Sequence, residues 1–87
     1  MIHFAYTRSF IKQYNALESG LRSDIDDKLE LFKNAKNHTQ LKAHKLHGKL
    51  STYLAFSVNY RTRILFYYSE KQTVTCVAIG THDIYKN

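Results

Sequence analysis

A change in the spacing of apolar residues divides this chain into a helical part and a β part. Residues 8–18 and 21–32 carry apolar side chains every three or four positions, which predicts two amphipathic helices. Apolar residues alternate with others in 53–58 and 61–68, and 73–80 ("TVTCVAIG") is rich in β-branched residues, which predicts three strands. Because a sheet face must be covered, the helices of such a chain pack against its strands.

Short connections between these segments determine how they are arranged. "MIHFAY" is predicted to be a first strand that ends at Thr7, which can cap the following helix. Ser19 and Gly20 are predicted to end that helix, so that the two helices form an antiparallel hairpin. Residues 59–60 and 69–72 are short enough for hairpin turns, which predicts an antiparallel meander of the last three strands.

The predicted fold class is α+β: an N-terminal strand and a helical hairpin packed on a small, mainly antiparallel sheet, in the order β-α-α-β-β-β. The 87 residues suffice for one small hydrophobic core, so residues 1–87 are predicted to form a single domain. A hairpin that covers one face of the sheet leaves the other at least partly free. A free face can carry a functional site.

Positive charge is concentrated in the middle of the chain. Thirteen Lys and Arg residues against seven Asp and Glu residues give a formal charge of +6, and no acidic residue occurs between Glu30 and Glu70. Four acids lie together just before this stretch, at Asp24, Asp26, Asp27 and Glu30. This polarity favours a surface that binds a polyanion such as nucleic acid; the alternative is a set of solvated lysines with no partner.

The composition disfavours several functional classes. No apolar stretch approaches the ~20 residues that cross a bilayer, and the opening "MIHFAYTRSF" lacks a signal-peptide pattern, so a soluble cytoplasmic protein is expected. The single cysteine, Cys76, lies in an apolar run and is expected to be a buried thiol in a reducing compartment. His44 and His47 lack a third ligand at a suitable spacing, and no glycine-rich phosphate loop is present, so neither a metal nor a cofactor is predicted.

Two histidines in the basic segment "KAHKLHGK", residues 42–49, are candidate general bases near neutral pH. If the segment is extended, side-chain alternation exposes His47 together with Lys45 and Lys49. The same alternation turns His44 and Leu46 toward the core. Alternation alone therefore predicts that His47 is the exposed histidine.

Two arginines on the second predicted β run share one side of the sheet. Arg61 and Arg63 point opposite Ile64 and Phe66. If the apolar pair faces the helices, both arginines lie on the free face, where a planar guanidinium suits a phosphate group. The alternative is that either arginine pairs with an acid from elsewhere, such as Asp83.

The stretch "GTHDIYK", residues 80–86, follows the last predicted strand. His82 is a candidate acid or base, and Tyr85 can stack on a nucleobase or donate a proton. The alternative is that His82 is an ordinary surface histidine.

The order of elements, the block "KLHGKLSTYLAFSVNYRTRILFYY" and the ending "AIGTHDIYK" resemble the RelE/ParE superfamily of bacterial type II toxins, particularly its RelE, YoeB and YafQ branches. The resemblance covers nearly the whole chain and implies a RelE-like fold. It also implies a ribonuclease that cuts messenger RNA, often at the ribosome, and a cognate antitoxin with an acidic segment that wraps the toxin surface.

RNA cleavage without a metal uses the substrate's own 2′-hydroxyl as the nucleophile. It needs a base for that hydroxyl, cations at the phosphate and an acid for the leaving oxygen. By resemblance, His44 is the base and Arg63 stabilises the charge. His82 is then the general acid, and Tyr85 contacts the substrate base. The predicted RNA-binding residues are Lys42, Lys45, His47, Lys49 and Arg61.

In the family pattern the base is the residue two before the leucine of "L-x-G", which is His44 here; this register disagrees with side-chain alternation, which favours His47. We follow the register because a partly shielded imidazole is easier to keep neutral, and His47 then becomes a phosphate or ribose contact. One departure weakens the match, since Ser57 stands where the YafQ branch has a further functional histidine.

Two other functions are compatible with the sequence. A non-enzymatic toxin of the ParE branch, which acts on DNA gyrase, shares the scaffold and needs no pair of histidines. The other is an RNA- or ribosome-binding module without catalysis, for which Ser57 is the only hint. Steep salt dependence of binding with no cleavage would identify that module.

Overall fold

The computed structural model describes residues 2–81. It contains two helices, five strands and two short 3-10 helices, the latter at Ala35–Asn37 and Gly48–Leu50. In chain order the helices and strands are β1 (His3–Tyr6), α1 (Arg8–Asn15), α2 (Ser19–Phe32), β2 (His44–Lys45), β3 (Leu54–Ser57), β4 (Arg63–Glu70) and β5 (Thr73–Gly80). The predicted α+β fold class is confirmed. The helices of the described part are too short and too polar to cross a lipid bilayer.

All five strands belong to one sheet, in the order β1-β5-β4-β3-β2. β1 pairs with β5 in parallel, and the other three pairings are antiparallel, as a mainly antiparallel sheet requires. The two-residue strand β2 forms one edge of the sheet and adds to the predicted order of elements.

The break between the helices lies earlier than predicted. Thr7 does cap α1, because its side chain accepts a hydrogen bond of 3.1 Å from the Phe10 amide. Ser19 and Gly20, however, begin α2 instead of ending α1. Glu18 is the reason, since its carboxylate accepts from the amides of Gly20 and Leu21 at 3.1 and 2.6 Å and caps the new helix.

One face of the sheet is covered by the helices. Phe32 of α2 is fully buried and stacks on Phe56 of β3, with ring centroids 4.8 Å apart. It also meets Phe66 of β4 edge-on at 5.1 Å. These three rings form the centre of the main core, which continues through Ile25, Ile64, Val74 and Cys76.

The outer side of α1 differs from the predicted pattern at two positions. Ile11, one of the apolar residues whose spacing predicts the helix, is 47% exposed, whereas the polar Gln13 is half-buried. The Gln13 side-chain oxygen accepts a hydrogen bond of 2.8 Å from the Ile79 amide. Because β1 pairs only with residues 73–76 of β5, Gln13 satisfies a strand amide beyond the end of β1.

The two antiparallel turns also differ in length from the prediction. β4 begins at Arg63, so Arg61 lies in the turn and not on the strand. At its other end β4 continues to Glu70, which leaves a two-residue turn to β5 at Lys71 and Gln72. Gln72 has a φ of 63°, a left-handed conformation that occurs at tight turns.

Candidate functional site

The sheet face opposite the helices carries His44 and Arg63. Cross-strand partners point to the same face, and His44 pairs with Ala55, which pairs with Leu65. Arg63 lies two residues before Leu65 on β4 and therefore shares its face. We call this side of the sheet, which Ala55, Arg63 and Leu65 define, the free face.

Small side chains separate the two candidate residues on the free face. Ala55 lies beside His44, while Ser57 and Gly80 flank Arg63 on the neighbouring strands. Ideal strand spacing puts the Cα atoms of His44 and Arg63 roughly 12 Å apart, because β3 lies between their strands and their rows differ by two residues. Because these neighbouring side chains are small, the surface between the His44 imidazole and the Arg63 guanidinium has room for a substrate.

Two leucines hold the segment after β2 against the free face. Leu46 is 6% exposed and forms a small cluster with Ala55 and Leu65, against which Leu50 packs. Gly48 lies between the leucines with a φ of 68°, where a side chain would be strained. The order Leu46-His47-Gly48 therefore has a local structural basis, because the leucine anchors the segment and the glycine adopts its positive φ without strain.

A backbone carbonyl fixes the tautomer of His44. The Nδ1 atom of its ring lies 2.8 Å from the Lys42 carbonyl oxygen. A carbonyl oxygen only accepts, so Nδ1 carries the proton in this bond. In the neutral ring the lone pair is then on Nε2, and the imidazole can take up a proton there.

Lys42 adopts an uncommon backbone conformation in order to make this contact. Its φ is 58°, in the left-handed region that non-glycine residues seldom occupy. Hydrogen bonds hold the backbone here: the Lys42 amide donates to the Thr39 carbonyl at 3.0 Å, and the Ala43 amide donates to the His38 carbonyl at 2.9 Å. Local strain of this kind is typical of functional sites.

The expectation that His44 is partly shielded is wrong. His44 and His47 are both exposed, since the cluster around Leu46 is too small to cover a second side chain. Side-chain alternation correctly predicted that Leu46 is buried and that His47 is exposed. Both histidines line one cleft of about 260 Å³, together with Lys45 and Leu46.

The Arg63 guanidinium is held by the turn that precedes β4. Its Nη1 atom donates to the carbonyls of Asn59, Tyr60 and Thr62 at 2.7, 3.0 and 3.2 Å. Within residues 2–81, Nη1 makes all the hydrogen bonds of this guanidinium. The Nε and Nη2 atoms together form the edge of a guanidinium that binds an oxyanion in bidentate fashion.

Arg63 lines a second cleft, of about 270 Å³, at the end of the sheet where β3 turns into β4. Lys28 of α2 and Lys42 contribute two further positive charges to it. None of the residues that line it in the described part of the chain is acidic. The ion pair found among residues 2–81 joins Lys33 to Glu30 at 3.1 Å, so no described carboxylate forms an ion pair with a residue of this cleft.

The remaining predicted site residues are spread over the surface or lie outside the described part. Lys49 is exposed on the 3-10 helix after His47, and Arg61 is exposed on the turn before β4. His82, Tyr85 and Asp83, the acid considered as a partner for Arg63, lie outside the described residues. The structure thus brings His44, Lys45 and His47 together in one cleft and Lys42 with Arg63 in the other.

Sequence reasoning missed two residues at the second cleft. Lys28 resembles any solvent-facing lysine of an amphipathic helix, and its proximity to Arg63 depends on tertiary structure. Tyr60 lies in a turn, and the two arginines that follow it at 61 and 63 were the available signal. Among the described residues, no group of three potential metal-ligating side chains comes together.

The fold is that of bacterial toxin structures. The toxin–antitoxin complex YoeB–YefM from Staphylococcus aureus matches with a TM-score of 0.73 over 94% of this chain and 98% of that chain, at 14% identity. The RelBE2 complex from Mycobacterium tuberculosis matches with a TM-score of 0.69 over 92% and 96%, at 12% identity. A YoeB/ParE toxin from Agrobacterium tumefaciens matches with a TM-score of 0.67 over 93% and 99%, at 15% identity.

Comparison of sequences alone adds nothing to this likeness, since no family profile and no curated protein matches the chain. At 12 to 15% identity the three structures share the fold of this chain. The RelE-like fold implied by the sequence motifs is therefore confirmed.

Proposed function

We propose that this chain is the toxin of a type II toxin–antitoxin pair and a metal-independent endoribonuclease that cuts messenger RNA, which inhibits translation and growth. Two observations support the proposal. The fold is shared with YoeB and RelE toxins over nearly the whole chain. The free face also holds an imidazole in a defined tautomer and a guanidinium with a fixed orientation.

The proposed reaction is an attack by the 2′-hydroxyl on the adjacent phosphate. Nε2 of His44 takes the hydroxyl proton, the 2′-oxygen bonds to phosphorus, and the bond to the 5′-oxygen breaks, which leaves a 2′,3′-cyclic phosphate. Nε and Nη2 of Arg63 bind the phosphate oxygens as negative charge builds up on them. The carbonyls that hold Nη1 keep this edge oriented without a cost at the moment of reaction.

The leaving 5′-oxygen needs a proton, and His82 is the proposed donor. Tyr85 is proposed to contact the substrate base. Both roles rest on the resemblance to the family, because the two residues lie outside the described part of the chain. Lys42, Lys45, His47, Lys49 and Arg61 are proposed to bind the RNA backbone.

The hydrogen bond from His44 to the Lys42 carbonyl is the observation that carries the choice of base. The ring of His47 makes no hydrogen bond to any described residue, so nothing there selects its tautomer. His44 is also on the same face as Arg63, on a strand of the sheet, whereas His47 lies beyond β2. A base on a strand is held more precisely than one on a turn.

The proposed partners follow from the same fold and charge. The two complexes above contain a toxin and its antitoxin, and this chain carries the net charge of +6 that an acidic segment would complement. Messenger RNA, on the ribosome in the cytoplasm, is the proposed substrate. A neighbouring reading frame that encodes an acidic C-terminal half would support the pairing.

RNA cleavage by purified variants in the presence of EDTA tests the proposal. The wild type is expected to produce fragments that end in a 2′,3′-cyclic phosphate from free RNA in EDTA, and programmed ribosomes, which need Mg²⁺ to stay assembled, are tested in a parallel reaction without EDTA. His44→Ala and His82→Ala are each expected to reduce the rate by about 10²- to 10⁴-fold, because each removes a proton-transfer group. His47→Ala is the matched control and is expected to lower the rate much less.

Three results would contradict the proposal. Full activity of His82→Ala would remove the acid, and a larger loss for His47→Ala than for His44→Ala would make His47 the base. Growth arrest with gyrase-linked DNA breaks and intact RNA would point to the ParE-type function instead.

A further inference from the structure

Tyr60 is far more exposed than any other large hydrophobic residue in the described part of the chain. Its relative accessibility is 92%, against 44 to 47% for Tyr6, Ile11 and Tyr68. Both faces of an aromatic ring with so little cover are open to solvent. A ring of this kind contributes nothing to the core and is accessible to a ligand.

The backbone around Tyr60 is nevertheless well held. The Asn59 side chain accepts hydrogen bonds from the amides of Arg61 and Thr62 at 2.9 and 2.8 Å. The Val58 amide donates to the Thr62 carbonyl at 2.9 Å, and Arg63 binds the Tyr60 carbonyl itself at 3.0 Å. The exposed ring is therefore carried on a constrained turn, which lowers the entropy cost of binding through it.

Positive charge surrounds the ring. Tyr60 lines the second cleft beside Lys28, Lys42 and Arg63, and Arg61 follows it in the turn. No described acid forms an ion pair with these residues. A solvent-facing aromatic ring next to several cations is the combination with which proteins bind single-stranded nucleic acid, because bases stack on the ring while the cations bind phosphates.

We propose that Tyr60 stacks on an unpaired base of bound RNA while Lys28 and Lys42 of the same cleft hold the adjacent phosphate. This subsite extends the substrate contact from the cleft at His44 to the end of the sheet, and it rests on the proposed function for the identity of the nucleic acid. An unpaired base is required, since a base in a duplex has both faces covered by its neighbours. The subsite thus selects single-stranded RNA.

Binding of a non-cleavable oligonucleotide tests the subsite separately from catalysis. The probe is a single-stranded 2′-O-methyl RNA that carries one 2-aminopurine, whose fluorescence falls when it stacks on an aromatic ring. Moved along the strand, the fluorophore is expected to be quenched at one position by the wild type and by Tyr60→Phe. Tyr60→Ala should abolish that quenching and weaken binding by about five- to tenfold.

Matched variants separate stacking from general charge and from the loss of any tyrosine. Tyr68→Ala removes another partly exposed tyrosine near the opposite end of β4 and should leave binding unchanged. Lys42→Ala should make the slope of log affinity against log salt shallower by about 0.7, the value for one lost contact with a single strand. Lys71→Ala removes an exposed lysine from the turn between β4 and β5 and should leave the slope as it is.

The proposal is overturned if Tyr60→Ala binds and quenches as the wild type does, which would leave a protein partner as the reason for the exposed ring. It is also overturned if Tyr60→Phe binds the probe as weakly as Tyr60→Ala, because the hydroxyl and not the ring face would then matter. Failure of the wild type to bind the probe would overturn it as well. A wild type that binds and quenches the probe but cleaves no RNA would refute the nuclease and leave the subsite standing.

Discussion

The two faces of the sheet are built from the same strands but differ in what covers them. Under the helices, Phe56 and Phe66 are fully buried in the main core. On the free face, Ala55 and Leu65 belong to a small cluster with Leu46, against which Leu50, Tyr53, Val77 and Ala78 pack. Because neighbouring residues of a strand point to opposite faces, a step of one residue separates a position that stabilises the fold from one that can hold a substrate.

Truncation of a core residue on each face should give the largest contrast. Phe66→Ala is expected to lower the free energy of unfolding by about 3–5 kcal/mol, because the ring is fully buried against Phe32 and Phe56. Leu65→Ala, its neighbour on the free face, should cost about 2 kcal/mol, since the small cluster can collapse around the cavity. Urea unfolding followed by circular dichroism measures both, and equal losses would contradict the asymmetry.

Alkaline pH should lower the stability of the protein through Cys76, whose thiol is buried on the helix-covered face. Burial raises the pKa of Cys76 to about 12 from 9.0. As the pH rises, the unfolded chain therefore loses the thiol proton before the folded chain does. The stability that this group contributes is present below pH 9 and is lost as the pH rises toward 12. The slope should not exceed about 1.4 kcal/mol per pH unit. Cys76→Ala should unfold with a shallower dependence on alkaline pH.

A thiol reagent at neutral pH extends this comparison to both faces. Cys76 should react with Ellman's reagent only upon unfolding, since its side chain is fully buried. In Ser57→Cys, the new thiol lies on the free face and is expected to react in the folded state. Rapid reaction of the wild-type thiol in the native protein would show that the helices do not seal their face.

The smallest effects are expected at two non-glycine residues with left-handed backbone, Lys42 and Gln72. Replacement by glycine removes the strain of that conformation but loosens the unfolded chain, so Lys42→Gly and Gln72→Gly should each stabilise the protein by at most about 1 kcal/mol. Only Lys42→Gly should also weaken binding of RNA, since Gln72 lies in the turn at the opposite end of β4. Thermal melts and oligonucleotide titrations check the pair, and equal loss of binding would remove Lys42 from the site.

The periodicity of the sequence predicted the two helices, the last three strands and the face to which the residues of β4 point. Ile64 and Phe66 are buried as alternation requires. The helix boundary at Ser19 was wrong because glycine and serine suit a helix start as well as a helix end, and the Glu18 cap decided between them. The strand β2 was missed because two residues are too few to show a period.

The candidate site was predictable as residue types but not as an arrangement. The motifs indicated His44 and Arg63, and alternation along β4 placed the arginine on the free face. Neither signal reports that a carbonyl at Lys42 selects the tautomer of His44, or that three turn carbonyls orient Arg63. Contacts of this kind depend on backbone conformation, such as the positive φ of Lys42, which the sequence does not reveal.

The parallel pairing of β1 with β5 has a consequence for the kinetics of folding. The side-chain hydroxyl of Thr7 donates to the Val77 carbonyl across a separation of 70 residues, whereas β4 and β5 are joined by a two-residue turn. Closing a long loop costs more entropy than closing a hairpin, so β1 is expected to join the sheet after β3, β4 and β5 have assembled. Until then one edge of β5 is open to other chains, and aggregation during refolding should begin at that edge.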